Sequence, residues 1–232
     1  MVSPIGFLRL ADDLLRGERT SERPGFAARL SPTAVLVLMI LGFGMFYGGV
    51  MGTYGGVGGD RPLQLVYSAL KVPFLIMTTF ALSVPSFYVV NSLLGLRGDF
   101  SRVLRGLMTT QAGLTVILTS LAPFTAFWYA AGTAYQPAIL FNGAMFAVAS
   151  LGAQSILRRE YGPLIRKDER HRWMLRTWIF IYVFVGVQMA WVLRPFVGDP
   201  QRPVQFFRED SWSNAYEVVL RMIWDVLAGR GR

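Results

Sequence analysis

Residues 33–51 follow Ser31-Pro32 as a run of aliphatic, aromatic and glycine residues without one charged side chain. A helix of that length covers about 28 Å, close to the roughly 30 Å of a bilayer's hydrocarbon core. Backbone polar groups in hydrocarbon must be satisfied within the protein, so spanning segments are helices or closed barrels. Serine followed by proline marks a helix start. The hydroxyl accepts from free N–H groups, and proline's fixed φ suits the first turn.

Similar runs recur along the chain. The run Leu63 to Leu96 is too long for one untilted span, and Lys71 and Pro73 divide it into an interfacial stretch 63–71 and a span 72–95 bent at Pro85. Further spans are expected at 107–130, from Gln136-Pro137 to Leu157, and at 174–196. Trp128-Tyr129 closes the third. Trp173 and Trp178 border the fifth below and Trp191 above, as interfacial aromatics do. Charged residues make up only 16% of the 232, against about 25% in soluble domains. The expected fold is an all-α, polytopic transmembrane helix bundle of about five spans.

Basic residues fix the expected orientation. Arg9, Arg16, Arg19, Arg23 and Arg29 precede the first span, and Arg97, Arg102 and Arg105 lie between the second and third. Arg158, Arg159, Arg166, Lys167, Arg170 and Arg172 lie between the fourth and fifth, while the other two loops are nearly free of cations. The positive-inside rule then puts the N-terminus in the cytoplasm. The net charge of +9 reads as topology and contact with anionic headgroups, not nucleic acid. The first 31 residues lack an early apolar h-region and do not read as a signal peptide. Residues 4–16 fit a short amphipathic helix on the cytoplasmic membrane surface with Ile5, Leu8, Leu14 and Leu15 on one face, the alternative being a frayed tail. After residue 196 an extracytoplasmic tail is expected, with an amphipathic helix over 212–227 on the outer surface or against a partner.

Catalytic chemistry finds little material here. Cysteine is absent and His171 is the one histidine, so thiolate metal sites, bis-histidine haem and a membrane serine–histidine dyad have no residues to use. Asp60 and Asp99 fall in loops, not at an intramembrane aspartyl pair. No catalytic, cofactor or metal residues are assigned. The expectation is a protein that is not an enzyme; an enzyme acting on lipid through Asp199, Glu209 or Asp210 has only their proximity in its favour.

Three features carry functional weight. Gly44, Gly48, Gly52 and Gly56 recur every fourth residue and open one face to close backbone approach by another helix. Lys71, Asn91, Gln111, Asn142 and Gln188 form a polar set that either lines a pocket or makes interhelical hydrogen bonds; Lys71 and Arg194 also fit snorkelling ends. Arg194, Pro195, Phe196 and Gly198 begin a proline-stiffened segment, 194–208, suited to a rigid cap over the outer bundle mouth.

At this segment the chain resembles an uncharacterised family of bacterial multi-span proteins whose last span ends Arg-Pro-Phe-Val/Ile-Gly, followed by spaced prolines and Phe-Arg. Arg194 to Gly198, Phe207-Arg208, Leu70-Lys71-Val72-Pro73 and Pro85-Ser86 carry the likeness over residues 65–220. In topology alone the chain is similar to the Yip family of Rab-interacting membrane proteins. The resemblance implies a bacterial cytoplasmic (inner) membrane protein and no activity. The leading functional expectation is a scaffold or accessory subunit of a membrane assembly, with lipid and other membrane subunits or its own copies as partners. The alternative is a small-solute transporter or lipid-handling protein with a polar intramembrane pocket.

Overall fold

The computed structural model describes residues 4–17, 30–56, 58, 61–132, 134–208 and 214–217. Six α-helices are laid out in chain order, α1 (Pro4–Arg16), α2 (Pro32–Gly52), α3 (Arg61–Leu93), α4 (Phe100–Ala130), α5 (Tyr135–Lys167) and α6 (Arg170–Leu193), with a 3-10 turn at Arg97–Asp99 before α4. Five of them, α2 to α6, are long and apolar enough to cross a membrane, so the chain is a multi-pass helical membrane protein. Short connections make successive spans antiparallel. One end of the bundle gathers residues 53–56, 58, 61, 130–132, 134–135 and 194–208 (the cap end), and the other gathers 30–31, 94–99 and 168–169 (the loop end).

The start of α2 follows from its capping pair. Ser31 Oγ accepts from the Ala34 N–H at 3.2 Å, with Pro32 in the first turn. One stripe of α2 is buried, including Met39, Phe43, Gly44, Tyr47, Gly48 and Met51, and α3 crosses it there. A Cβ on Gly48 would collide with the Ser68 carbonyl oxygen, and one on Gly52 would lie 2.5 Å from Leu65 Cα. The glycine series is therefore filled by a helix of the same chain. Gly44 meets Pro73, whereas Gly56 lies beyond the helix end at φ +93° with nothing against it.

Helix α3 runs unbroken through Lys71, Pro73 and Pro85, so the interfacial stretch 63–71 and the span 72–95 are one helix. Breaking a helix in hydrocarbon exposes several backbone groups where proline removes only one N–H, and neighbouring helices support the continuous form. At 33 residues α3 rises about 50 Å, so it extends past the core. Its inward stripe is polar, including Gln64, Ser68, Lys71, Thr79, Ser83 and Asn91, which spares these groups contact with lipid. Helix α5 also outruns its expected end at Leu157 and continues to Lys167, so much of the basic 158–172 stretch is helical.

Helix α1 is set into the bundle. Phe7 stacks on Phe43 with centroids 4.7 Å apart, and Leu14 reaches Gly113 on α4. The buried positions are Leu10, Ala11, Asp13 and Leu14, while Leu8 and Leu15 are exposed, which corrects the face expected from spacing. Arg159 on α5 fixes the helix end, donating to the Leu14 and Leu15 carbonyls at 2.8 Å each. Both carbonyls belong to the last turn, where acceptors lack intrahelical partners, and that of Leu14 also accepts from the Gly17 N–H at 3.2 Å.

Candidate functional site

Facing stripes on α5 and α6 enclose a cleft of about 770 Å³ between two of the candidate spans. On α5 the lining positions are Ile139, Asn142, Gly143, Phe146, Ser150, Ala153, Gln154 and Leu157. They recur at intervals of three and four, as one helix face requires. On α6 they are Trp178, Ile179, Tyr182, Val183, Gly186, Val187, Ala190 and Trp191, in the same rhythm. The back wall comes from Ile76 and Thr79 of α3 and from Thr110, Gln111 and Leu114 of α4.

The cleft exists because α6 is held chiefly by its ends. Its buried residues are His171, Met174 and Trp178 near the loop end and Leu193 at the cap end. Trp178 is wedged against Phe80 and Phe87, with centroids 5.6 and 5.0 Å away, so it is a buried anchor and not an interfacial residue. Between the anchors, Gly143, Gly186 and Ala190 leave space where larger side chains would close the gap. Val183 is 56% and Val187 45% exposed, so the cleft opens sideways to the bilayer.

The polar set divides by location. Gln111 and Asn142 line the cleft. Gln111 Oε1 accepts from the Tyr182 hydroxyl at 2.7 Å, bracing α4 to α6. Asn142 accepts from the Tyr47 hydroxyl at 3.3 Å and donates to the Tyr129 hydroxyl at 2.6 Å and the Ala138 carbonyl at 2.8 Å. Tyr47 also lies 3.4 Å from Thr125 Oγ1. Asn142 thus joins α2, α4 and α5 at one point.

Lys71, Gln188 and Asn91 stand elsewhere. Lys71 is wholly buried at the cap end, where Nζ donates to the Pro195 carbonyl at 2.7 Å and sits 4.8 Å from the Phe206 ring centre. Gln188 Oε1 accepts from the Ala215 N–H at 3.0 Å and helps hold the tail segment 214–217 against α6, where Tyr216 stacks on Phe184. Asn91 is buried near the loop end, and neither of its side-chain polar atoms has a hydrogen-bond partner among the described residues.

Residues 194–208 fold over the cap end of the bundle. Gln64 donates to Ser68 Oγ at 2.9 Å, and Ser68 donates to the Phe196 carbonyl. Tyr135 donates to the Val197 carbonyl at 3.2 Å and accepts from Arg208 at 3.1 Å. Gly198 lets the chain close on α3, since a Cβ there would lie 2.5 Å from Gln64 Cγ. Arg194 lies over the Trp191 ring at 3.5 Å, and its peptide bond to Pro195 is cis. The cap also roofs the cleft, which Arg194, Pro195, Phe196, Val197 and Arg208 help to line.

At the loop end Asp99 receives Lys167 at 2.7 Å and faces His171 Nε2 at 3.5 Å. Arg170 grips Asp168 and donates to the Leu94 carbonyl at 2.8 Å. Hydrogen bonds to the Arg170 side chain and backbone N–H hold the Asp168 carboxyl down at about 2. No group of three or more potential metal ligands occurs among the described residues. Of the acids at the tail, Asp199 turns inward on its own loop, accepting from the Gln201 N–H at 3.0 Å, and Glu209 and Asp210 lie outside the described residues.

The cleft-lining residues of α6 were missing from the sequence-derived polar set, which sought hydrogen-bonding side chains. Their signal was instead the spacing of Gly186 and Ala190 among aromatics on one face. The amphipathic helix expected at 212–227 lies outside the described residues except for 214–217. The chain has the multi-span helical architecture that the family resemblance implies. No family model matches it, and neither does any of the curated proteins or solved structures compared.

Proposed function

We propose that this protein is a non-catalytic lipid-handling protein of a bacterial cytoplasmic membrane that admits a lipid chain into the α5–α6 cleft. The cleft itself carries the reading. It is a laterally open, mainly apolar volume bounded by two continuous helix faces. Its lining on α6 runs from Trp178 to Trp191, a rise of about 20 Å. A leaflet's share of the hydrocarbon core is about 15 Å, so an acyl chain fits lengthwise. Basic residues near the loop end support a cytoplasmic loop end and an outward cap.

The test is native mass spectrometry after gentle detergent extraction, comparing the wild type with Gly143→Trp. A Cβ at position 143 meets nothing within 4 Å, so the indole can project into the cleft. Retained lipid on the wild type and its loss from the variant would support the reading. Equal retention by both proteins would refute it.

The other reading is a scaffold or accessory subunit of a membrane assembly. Its support is the tail segment 214–217 lying along α6, which leads into the expected amphipathic helix. Gly44, Gly48 and Gly52, which suggested lateral contacts, are already packed against α3. The lipid reading is preferred on that ground, and co-purification of a stoichiometric partner without bound lipid would reverse the order.

A further inference from the structure

Beside the cleft, under the cap, lies a second and smaller pocket of about 380 Å³. Its walls include Arg61, Gln64, Asp199, Arg202, Gln205 and Arg208. Among the described residues, three guanidinium groups and one carboxylate line this small volume. The carboxylate is already engaged, since Asp199 lies 3.4 Å from Arg202 Nε and accepts from the Gln201 N–H. Arg61 has a buried Nη1 with no hydrogen-bond partner. A buried donor left unpaired is costly, and guanidinium donors match the oxygen geometry of phosphate. Arg61 also opens α3, and the positive end of that helix's dipole favours an anion nearby.

Pro195 and Arg208 line both this pocket and the α5–α6 cleft. Arg208 is tied at 3.1 Å to the hydroxyl of Tyr135, which also lines the cleft. A polar, cationic chamber thus adjoins a long apolar one, an arrangement matching an amphiphile with an anionic head. We propose that the Arg61–Arg202–Arg208 pocket binds the phosphate of an anionic phospholipid headgroup whose acyl chain occupies the cleft. This rests on the lipid reading above and adds headgroup selection to it. A soluble phosphate shares the head chemistry but would leave the cleft unused, and continuity of the two chambers favours the lipid.

The test presents the purified full chain with phosphatidylglycerol, with diacylglycerol of the same chains, or with glycerol 3-phosphate, and reads binding by native mass spectrometry. Phosphatidylglycerol should be retained at least about tenfold better than diacylglycerol, the equivalent of one charge-assisted hydrogen bond. R61Q/R202Q should erase that preference, and rising salt should weaken it. R61K/R202K keeps the charge but loses the planar fork, so it should retain part of the preference and serves where the glutamine variant fails to fold.

Equal retention of both lipids by the folded wild type would overturn the headgroup assignment while leaving the cleft reading intact. Retention of neither would overturn both. Binding of glycerol 3-phosphate as tight as that of phosphatidylglycerol, and unaffected by Gly143→Trp, would overturn the lipid source. If wild type ignores phosphatidylglycerol but E209Q/D210N binds it, the chain's own acids fill the pocket and the proposal fails.

Discussion

Lys71 on α3 and Pro195 beyond α6 are joined by a 2.7 Å hydrogen bond from an ammonium group to a main-chain carbonyl, 124 residues apart in sequence. No carboxylate stands against Lys71 among the described residues; the carbonyl and the Phe206 ring meet its amine instead. The cap is therefore fastened to the bundle through a buried lysine.

Lys71→Met keeps much of the side-chain volume and removes the donor. It should loosen residues 195–208 and cost about 1–3 kcal/mol, the range for leaving a buried acceptor unpaired. Limited trypsin digestion in detergent checks this directly: cleavage after Arg208 should speed up in the variant. An unchanged rate would mean that the Ser68 and Tyr135 bonds hold the cap without Lys71.

Adjacent glycines on α2 should respond oppositely to one methyl group. Gly48→Ala drives a Cβ into the Ser68 carbonyl, whereas Gly49→Ala meets nothing within 4 Å. The first should destabilise the bundle by about 1–3 kcal/mol, as overfilled contacts do, and the second should be near neutral. Thermal unfolding of both variants in the same detergent provides the comparison.

The Asn142 junction can be measured as a coupling. A double-mutant cycle of Tyr47→Phe with Asn142→Leu should return an interaction energy of about 0.6 kcal/mol, the usual scale for interhelical hydrogen bonds in membranes. Zero coupling would show that the 3.3 Å contact contributes nothing to stability.

The Asp168–Arg170 clamp gives a pH expectation. Its folded carboxyl sits near 2, below an unfolded value of about 3.9. A depressed carboxylate stabilises fully above the unfolded value and loses that contribution as pH falls toward the folded one. The clamp's contribution to stability should therefore be complete above about 4 and fall away between there and about 2, where the folded carboxyl itself takes up its proton. Carbonyl chemical shifts of Asp168 across that range would track the change.

Much of the bundle was legible because spans obey two strong rules, length against bilayer thickness and basic residues at one side. Three prolines and Gly198 restrict what 194–208 can do, and this segment packs on Gln64, Ser68 and Lys71 of α3. Interruptions inside a span were harder to read. Lys71 and Pro73 look like a boundary in sequence, yet Pro73 packs on Gly44 and Lys71 turns to the Pro195 carbonyl, so the helix continues. The polar side chains were visible but their partners were not: Asn142 could equally have lined a pocket or tied helices, and it does both. The glycine series announced close approach without saying whose helix would come. A cavity was least legible, because it arises from where α5 and α6 fail to touch.

Holding α6 at Trp178 and Leu193, with few buried residues between, has an energetic consequence. Bulk lipid already wets the open flank of the helix, and hydrocarbon tails are about as apolar as the side chains they would touch. Filling the cleft swaps one hydrocarbon neighbour for another and releases little free energy. The long wall can set the shape and depth of an occupant, but it has little leverage over identity. Any discrimination must be concentrated at the two ends of α6, where a handful of residues outweighs the length of the helix.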